Sequence, residues 1–292
     1  MITTDELRRV LGPVGIWMHL PAWSGLDAGS FAREIEAAGL TSVWYGLVNS
    51  AADLAEVERA LAATERLVVG TGVASIWTWP PAGLAAAIRS LANRYPGRFV
   101  LGLGVSHAIA VESAGQSYAK PYTKMTEFLD ELPETGVPLV LAALGPRMLT
   151  LARDRTAGAH PYFTPAEHTR FAREILGPEP LLIPEIALAL VPGTDGAARS
   201  RAYAKPYLTL PNYTNNLRRF GFTDADFANG GSDRLLSEVV PYGPDQSLAR
   251  IGDHLAAGAD HVVVQLLGEG DQFGQFAAGD LKPLAELTAG LG

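Results

Sequence analysis

The chain contains no cysteine among its 292 residues. Disulfides, thiolate metal ligands and cysteine nucleophiles are thereby excluded, and the composition suits the cytoplasm. Basic charge is also scarce. Lys and Arg number 23 against 31 Asp and Glu, a formal net charge of −8. Phosphate backbones and anionic membranes need a basic face, so neither nucleic acid nor a membrane is expected as a partner. Arg8–Arg9 and Arg218–Arg219, the adjacent arginine pairs, read as solvated helix positions. The one long uncharged run, Leu67–Ile88, contains Gly70, Gly72, Pro80, Pro81 and Gly83, which would break a spanning helix. The N-terminus, MITTDELRRVLGP, places acids before its arginines and lacks the apolar segment of a signal peptide. No Walker loop, no GxGxxG and no Ser/His/Asp triad can be assembled by spacing.

What is present is a regular alternation. With 48% hydrophobic residues and no Ser-, Gly- or Pro-rich linker, the chain suits one domain over 1–292. Barrels of the α/β class take about 250 residues, which fits better than two average domains. Apolar runs predict strands at Val14–Met18, Ser42–Gly46, Leu67–Val73, Phe99–Leu103, Pro138–Leu141, Gly158–His160, Leu182–Leu190 and His261–Leu266. Helical spacing falls between them, at Ala28–Ala38, Ala52–Thr64, Ala82–Arg94, Lys120–Leu132, Arg147–Thr156, Pro165–Leu176, Asp195–Lys205 and Gln246–Ala257. Eight strands alternating with helices predict a (β/α)8 TIM barrel; an open doubly wound sheet is the alternative. AAGLTSVW at Ala37–Trp44 echoes AAGADHVVV at Ala256–Val264, each a helix ending at glycine before a strand. YAKPY occurs at Tyr118–Tyr122 and again at Tyr203–Tyr207, in differently patterned surroundings that argue coincidence. About residues 206–244 the chain carries a helical insertion before the last strand: Leu217–Arg219, Asp224–Ala228 and Ser232–Val239. A lid, a subunit surface and packing on the barrel wall are the three readings of it.

Chemistry in such a fold sits at the carboxyl ends of the strands. Aromatic residues gather there: Trp17, Trp44, Tyr45, Trp77, Trp79, Tyr162 and Phe163. They suit a pocket for a flat cofactor, and they suit ordinary rim packing. His19, His107 and His160 follow strands one, four and six. A metal-binding trio is weakened by the lack of His-x-His on the first strand and of an acid at the end of the eighth, where Gln265 stands; Glu112 and Glu269 are the nearest loop acids. His107 as proton donor or acceptor is the better assignment, beside a plain structural hydrogen bond. Gly145–Pro146–Arg147 opens the helix after the fifth strand, leaving free N–H groups beside a guanidinium, as a phosphate cradle would; Gly-Pro also simply starts helices.

Several segments together resemble the luciferase-like (bacterial luciferase-type) flavin and deazaflavin oxidoreductases, and more narrowly their coenzyme F420-dependent branch. They are GLTSVW (Gly39–Trp44), VVGTGVASIW (Val68–Trp77), YPGRFVLGLGVSH (Tyr95–His107), GPRMLTLARDRTAGAHPY (Gly145–Tyr162) and GADHVVVQ (Gly258–Gln265). The resemblance implies a (β/α)8 barrel binding F420 or FMN at the carboxyl ends, a small-molecule substrate and a homodimer. It implies a non-proline cis peptide at Gly72–Val73 backing the ring, with Trp17, Trp44 and Trp77 shaping the pocket. It implies His107 at the acid/base position, Gly145, Pro146 and Arg147 at the phosphate, and Pro161 and Tyr162 along the tail. Relatives that oxidise sugar phosphates carry Asp-His after the second strand; Gly46–Leu47 stands here, against that substrate. The activity expected is hydride transfer between an organic substrate and F420, with an FMN-dependent monooxygenase as the alternative. A metal-dependent barrel hydrolase and a non-catalytic binding protein come after these.

Overall fold

A computed structural model describes residues 2–20, 27–268 and 281–291. The first strand, Val14–His19, pairs with the second, Ser42–Gly46, and that with the third, Val68–Thr71. The third pairs with the fourth, Phe99–Gly104, and after a bulge a short continuation, Ala74–Ser75, rejoins the same neighbour. The fifth and sixth strands, Leu139–Leu141 and Gly158–Ala159, follow in order. All these ladders are parallel. The seventh strand is one extended run, 181–188, split into Leu181–Leu182 and Glu185–Leu188 around Pro184, which has no N–H to donate. Its first part pairs with the sixth strand, and its second with the eighth, Val262–Leu266. The eighth returns to the first. The Glu185 N–H donates to Pro161 O at 2.8 Å, and the Val263 N–H to Pro184 O at 2.9 Å. The curled sheet therefore meets itself in the seventh strand. This is the expected (β/α)8 barrel, and an open doubly wound sheet is excluded.

The helices that alternate with the strands stand within two residues of their predicted bounds, Pro81–Arg94, Pro146–Arg155 and Ala166–Leu176 among them, whereas the expected Leu217–Arg219 is the end of a longer helix, Pro211–Arg218. Gly39 and Gly258, the paired helix ends of the internal echo, both take the positive φ that favours glycine, +88° and +101°. The repeated YAKPY takes two conformations. In the first copy Lys120 is left-handed and Pro121 starts a helix; the second copy forms the last turns of helix Gly193–Tyr207. Three helices were not anticipated, one of them Leu281–Thr288 near the end of the described residues. Thr4–Leu11 is capped reciprocally by Thr3 and Glu6, and buries Leu7 and Leu11 across the amino end of the barrel. Ala108–Ser113 follows the fourth strand. No helix of the described residues is long and apolar enough to cross a membrane.

Side chains two apart on a strand share a face. The inward set includes Trp17, Trp44, Val68, Val100, Val140, Leu181, Ile183 and Val263, which pack with Leu7 and Leu11 as one cluster. Outward residues such as Ile16, Val43, Val69, Leu101 and Val264 pack against the helices. The indoles of strands one and two lie flat over the next strands. A Cβ on Gly46 would come 2.2 Å from the Trp17 ring, and one on Gly70 2.5 Å from Trp44. These glycines are therefore packing partners of tryptophan. The insertion helices, Pro211–Arg218, Asp224–Phe227 and Asp233–Val239, form a second apolar cluster. Tyr203, Tyr213, Leu217, Leu235 and Val239 bury against Phe163, Ala187, Ala189 and Leu267, at the carboxyl ends of strands six to eight. The insertion thus roofs one side of the barrel mouth.

Candidate active site

The floor of the mouth lies where the third strand bulges. The Gly72–Val73 peptide bond is cis, as the resemblance implied. Gly72 is held from both sides: its N–H donates to Tyr45 O at 2.9 Å, and its carbonyl accepts from the Trp17 indole N–H at 2.6 Å. Gly72 and Val73 are half-buried, whereas Trp17 beneath them is buried. Val73 reaches across to the fourth strand and occupies the space that a side chain at Gly104 would need.

His107 caps the helix Ala108–Ser113 at the end of the fourth strand. Its Nε2 lies 3.4 Å from the Tyr213 hydroxyl, and the two rings are 5.5 Å apart. Burial pushes the imidazole below its ordinary pKa, so it is neutral near pH 7. Tyr213 belongs to the insertion, 106 residues away in sequence, and its burial raises the phenol well above the usual range. The phenol therefore stays protonated, and its oxygen can accept from Nε2–H, which leaves Nδ1 free to take a proton.

Beside this pair lies a cluster that sequence reasoning missed. Tyr162, Tyr203, Tyr207 and Tyr213 pack ring against ring, with centroids 5.2–5.9 Å apart. The hydroxyls of Tyr162 and Tyr203 are hydrogen-bonded, and Tyr203 also donates to Gln265 Oε1. Under the cluster sits Glu185, inward-facing on the seventh strand and only 4% exposed. Its Oε2 is 3.4 Å from His160 Nε2, and burial pushes its carboxyl upward against the pull of His160. His160 donates from Nδ1 to Ile183 O at 2.7 Å and stacks on Trp44 at 4.9 Å. Glu185 is hidden in the apolar run LLIPEIALAL; the available signal was its parity with the inward Leu181 and Ile183.

Gly145, Pro146 and Arg147 open helix Pro146–Arg155, whose first turn has no side-chain cap. A Cβ on Gly145 would meet nothing closer than the Arg219 guanidinium at 3.7 Å. Arg147 lies over the Tyr122 ring at 4.1 Å. The loop is anchored by His168, whose Nε2 meets Leu144 O at 2.8 Å. Open backbone donors with two guanidinium groups nearby fit an anionic tail, and Gly72–Val73 offers a side-chain-poor floor for a flat ring. The residues present therefore fit a flavin-type group.

Other expected positions stand apart. Trp44 is fully buried, a core residue below the mouth, because Gly70 leaves it room inside the barrel. Pro161 is buried in the ladder to Glu185, and the Tyr162 hydroxyl turns into the tyrosine cluster. Trp77 is tied through Nε1 to Val105 O at 2.7 Å, and borders a side recess of about 360 Å³ with Trp79, Gln116 and Lys124. His19, His107 and His160 do not converge, and no group of three metal-ligating side chains occurs among the described residues. Glu269 lies outside those residues. A recess of about 1210 Å³ lies at the opposite face, between the amino-terminal helix and loops that precede strands.

Residues 24–132 match the family model described as luciferase-like monooxygenase. Solved structures share the fold at low identity. An F420-dependent secondary alcohol dehydrogenase, in complex with an F420–acetone adduct, is 18% identical over 94% of this chain and 97% of that one, with a TM-score of 0.65. A coenzyme F420-dependent tetrahydromethanopterin reductase from Methanopyrus kandleri is 14% identical over 94% and 97%, with a TM-score of 0.69. A monooxygenase from Streptomyces bottropensis is 16% identical over 95% and 97%, with a TM-score of 0.61.

Proposed function

We propose that this chain, luciferase-like in its sequence over residues 24–132 and in its fold, is an F420-dependent oxidoreductase acting on a small organic substrate. The observation that carries the reading is the half-buried, neutral His107 set beside Tyr213 at the rim above a side-chain-poor floor. A deazaflavin, when bound, supplies a hydride donor or acceptor at its C5. The protein's share is to hold and to move a proton. Gly72 and Val73 would support the ring; Gly145, Pro146, Arg147 and Arg219 would hold the anionic end. His107, neutral at rest, takes a proton from a substrate hydroxyl or an equivalent group, and Tyr213 orients its ring. The insertion would exclude water from one side. The reading includes a homodimer in the cytoplasm.

The FMN-dependent monooxygenase is the second reading, favoured by the description of the matching family model. What supports F420 over FMN is the resemblance of the chain as a whole to that branch; Tyr95–His107 and Gly145–Tyr162 are the segments most specific to the family. A fluorescence titration of the pure chain with each cofactor tests the choice. Tight F420 binding with none for FMN is the expected result. The reverse establishes the second reading, and binding of neither ends both.

A further inference from the structure

The barrel interior is chemically lopsided. Strands three and four present Val68, Gly70, Gly72, Val100, Gly102 and Gly104 inward, whereas strands six to eight present His160, Tyr162, Glu185 and Gln265. Glycine and valine fill space; a carboxyl and an imidazole in the same dry interior need a reason. An unpaired carboxylate there would cost many kcal/mol, so such a group is paired or neutralised.

The groups facing Glu185 are few. His160 and Tyr162 follow the sixth strand, Tyr203 and Tyr207 come from helix Gly193–Tyr207, and Tyr213 from helix Pro211–Arg218. Among the described residues no lysine or arginine acts on it. The phenols are pushed above their ordinary range by burial, so they bring no positive charge and remain neutral. Only the imidazole can compensate the acid.

The imidazole is set up to do so. Its Nδ1 meets a backbone carbonyl, which can only accept, so Nδ1 carries hydrogen. Its Nε2 then points a lone pair toward Glu185 Oε2 at 3.4 Å, and has no hydrogen-bond partner. Two bare acceptors in contact repel. One proton between them turns the contact into a hydrogen bond, whichever atom holds it. Trp44 holds the ring from one face. On its free edge, a Cβ at Gly72 would lie 3.0 Å from Nε2, so the imidazole abuts the floor of the mouth.

We propose that Glu185 and His160 keep one exchangeable proton between Oε2 and Nε2, and that the pair is a second proton-bearing centre of the active site, set beneath its floor while His107 stands at its rim. When that proton passes to water or to a base that develops in the mouth, one O–H or N–H bond breaks at the pair and one forms on the acceptor, leaving a carboxylate against a neutral imidazole; no electron moves. The pair can thus offset a charge that appears in the mouth during redox chemistry. That role rests on the oxidoreductase reading, whereas the shared proton does not.

Infrared difference spectroscopy of the full chain, without cofactor, tests the first half. At about pH 7, where an ordinary glutamate is ionised, the wild type should show the C=O stretch of a protonated carboxyl, or the carboxylate–imidazolium signature that its partner's protonation produces. Glu185→Gln should lose it. Identical spectra of wild type and variant overturn the shared proton, whatever the cofactor. Should the variant not fold, carboxyl-¹³C and imidazole-¹⁵N spectra of the wild type decide: neither a protonated glutamate nor an imidazolium at that pH overturns it equally. In the loaded enzyme, Glu185→Gln should keep cofactor affinity within about threefold and shift the pH profile of turnover, while His107 remains in place. A profile unmoved by the variant overturns the role in the site. Failure of F420 and FMN alike to bind the wild type overturns the oxidoreductase reading and with it the role, and is seen independently of the infrared result.

Discussion

His107 meets two requirements that pull in opposite directions. A proton acceptor must be neutral at the working pH, which burial secures, and it must also be reachable and oriented, which burial opposes. The half-buried ring with one edge against the Tyr213 hydroxyl reconciles them. The sign of the pH effect follows. Its value is lowered below 6.5, so turnover that needs the neutral imidazole is constant near pH 7 and falls as the pH drops through that lowered value. His107→Ala should lower kcat by about 10²–10⁴-fold and remove this acidic limb, with cofactor affinity changed by no more than about threefold. Stopped-flow turnover and a binding titration on the same preparation check it. Equal losses in both would make His107 a binding residue. His107 was legible as a candidate from its place after an apolar strand that ends in glycines. Tyr213 was not, because the contact spans a long insertion and no local pattern connects them. Glu185 was masked for another reason: one acid in a ten-residue apolar run reads as an exception, unless the inward register of the strand is known.

Elements here are joined by a few half-buried charges as much as by apolar faces. Asp260, just before the eighth strand, is the clearest case. Its Oδ1 accepts from Arg8 of the amino-terminal helix at 2.9 Å. Its Oδ2 accepts from Arg173 of helix Ala166–Leu176 and from the Leu182 N–H, each at 2.7 Å. One carboxylate therefore pins two helices to the seam between strands seven and eight, where the barrel closes. Asp260→Ala would leave two half-buried guanidinium groups and a backbone N–H without this partner. We expect a loss of roughly 2–4 kcal/mol in urea unfolding, with cofactor binding unchanged because the seam lies at the amino end. A loss under about 0.5 kcal/mol would mean that solvent screens these pairs as it does ordinary surface bridges. Strand and helix positions were legible because period-2 and period-3.6 patterns are strong in an α/β barrel. The helix Thr4–Leu11 escaped because Leu7 and Leu11 are its only buried residues, too few to mark a face. The insertion showed its helices but not their destination, since apolar stripes say that a face is buried without saying against what.

At the scale of the whole molecule, three histidines are sealed into the scaffold, His168 behind the Leu144 loop of the candidate site and the other two away from it. His254 bonds Thr169 Oγ1 at 2.7 Å, His261 bridges Gly12 O and Ser42 Oγ at 2.9 and 2.8 Å, and His168 anchors Leu144 O. Burial pulls their values down to about 3 for His254 and about 4 for His261 and His168. In the unfolded chain each would titrate near 6.5. Below that pH the unfolded state binds protons that the folded barrel refuses, so stability rises with pH across the window from about 4 to about 6.5 and is fully present above it. Each histidine contributes a slope of up to about 1.4 kcal/mol per pH unit within the window. Together they could approach about 4 kcal/mol per unit, a large share of the stability of any single domain. Glu185 works the other way: its raised value stabilises the fold at low pH and loses that contribution as pH rises through it. It is one group against three, so the net slope stays positive. Urea unfolding at about pH 7.5, 6.5 and 5.5 should give similar free energies at the first two and a clearly lower one at the third. Equal stability at the last two would require these rings to accept protons inside the fold, and hence a barrel whose helix layer opens to water far more readily than its packing implies.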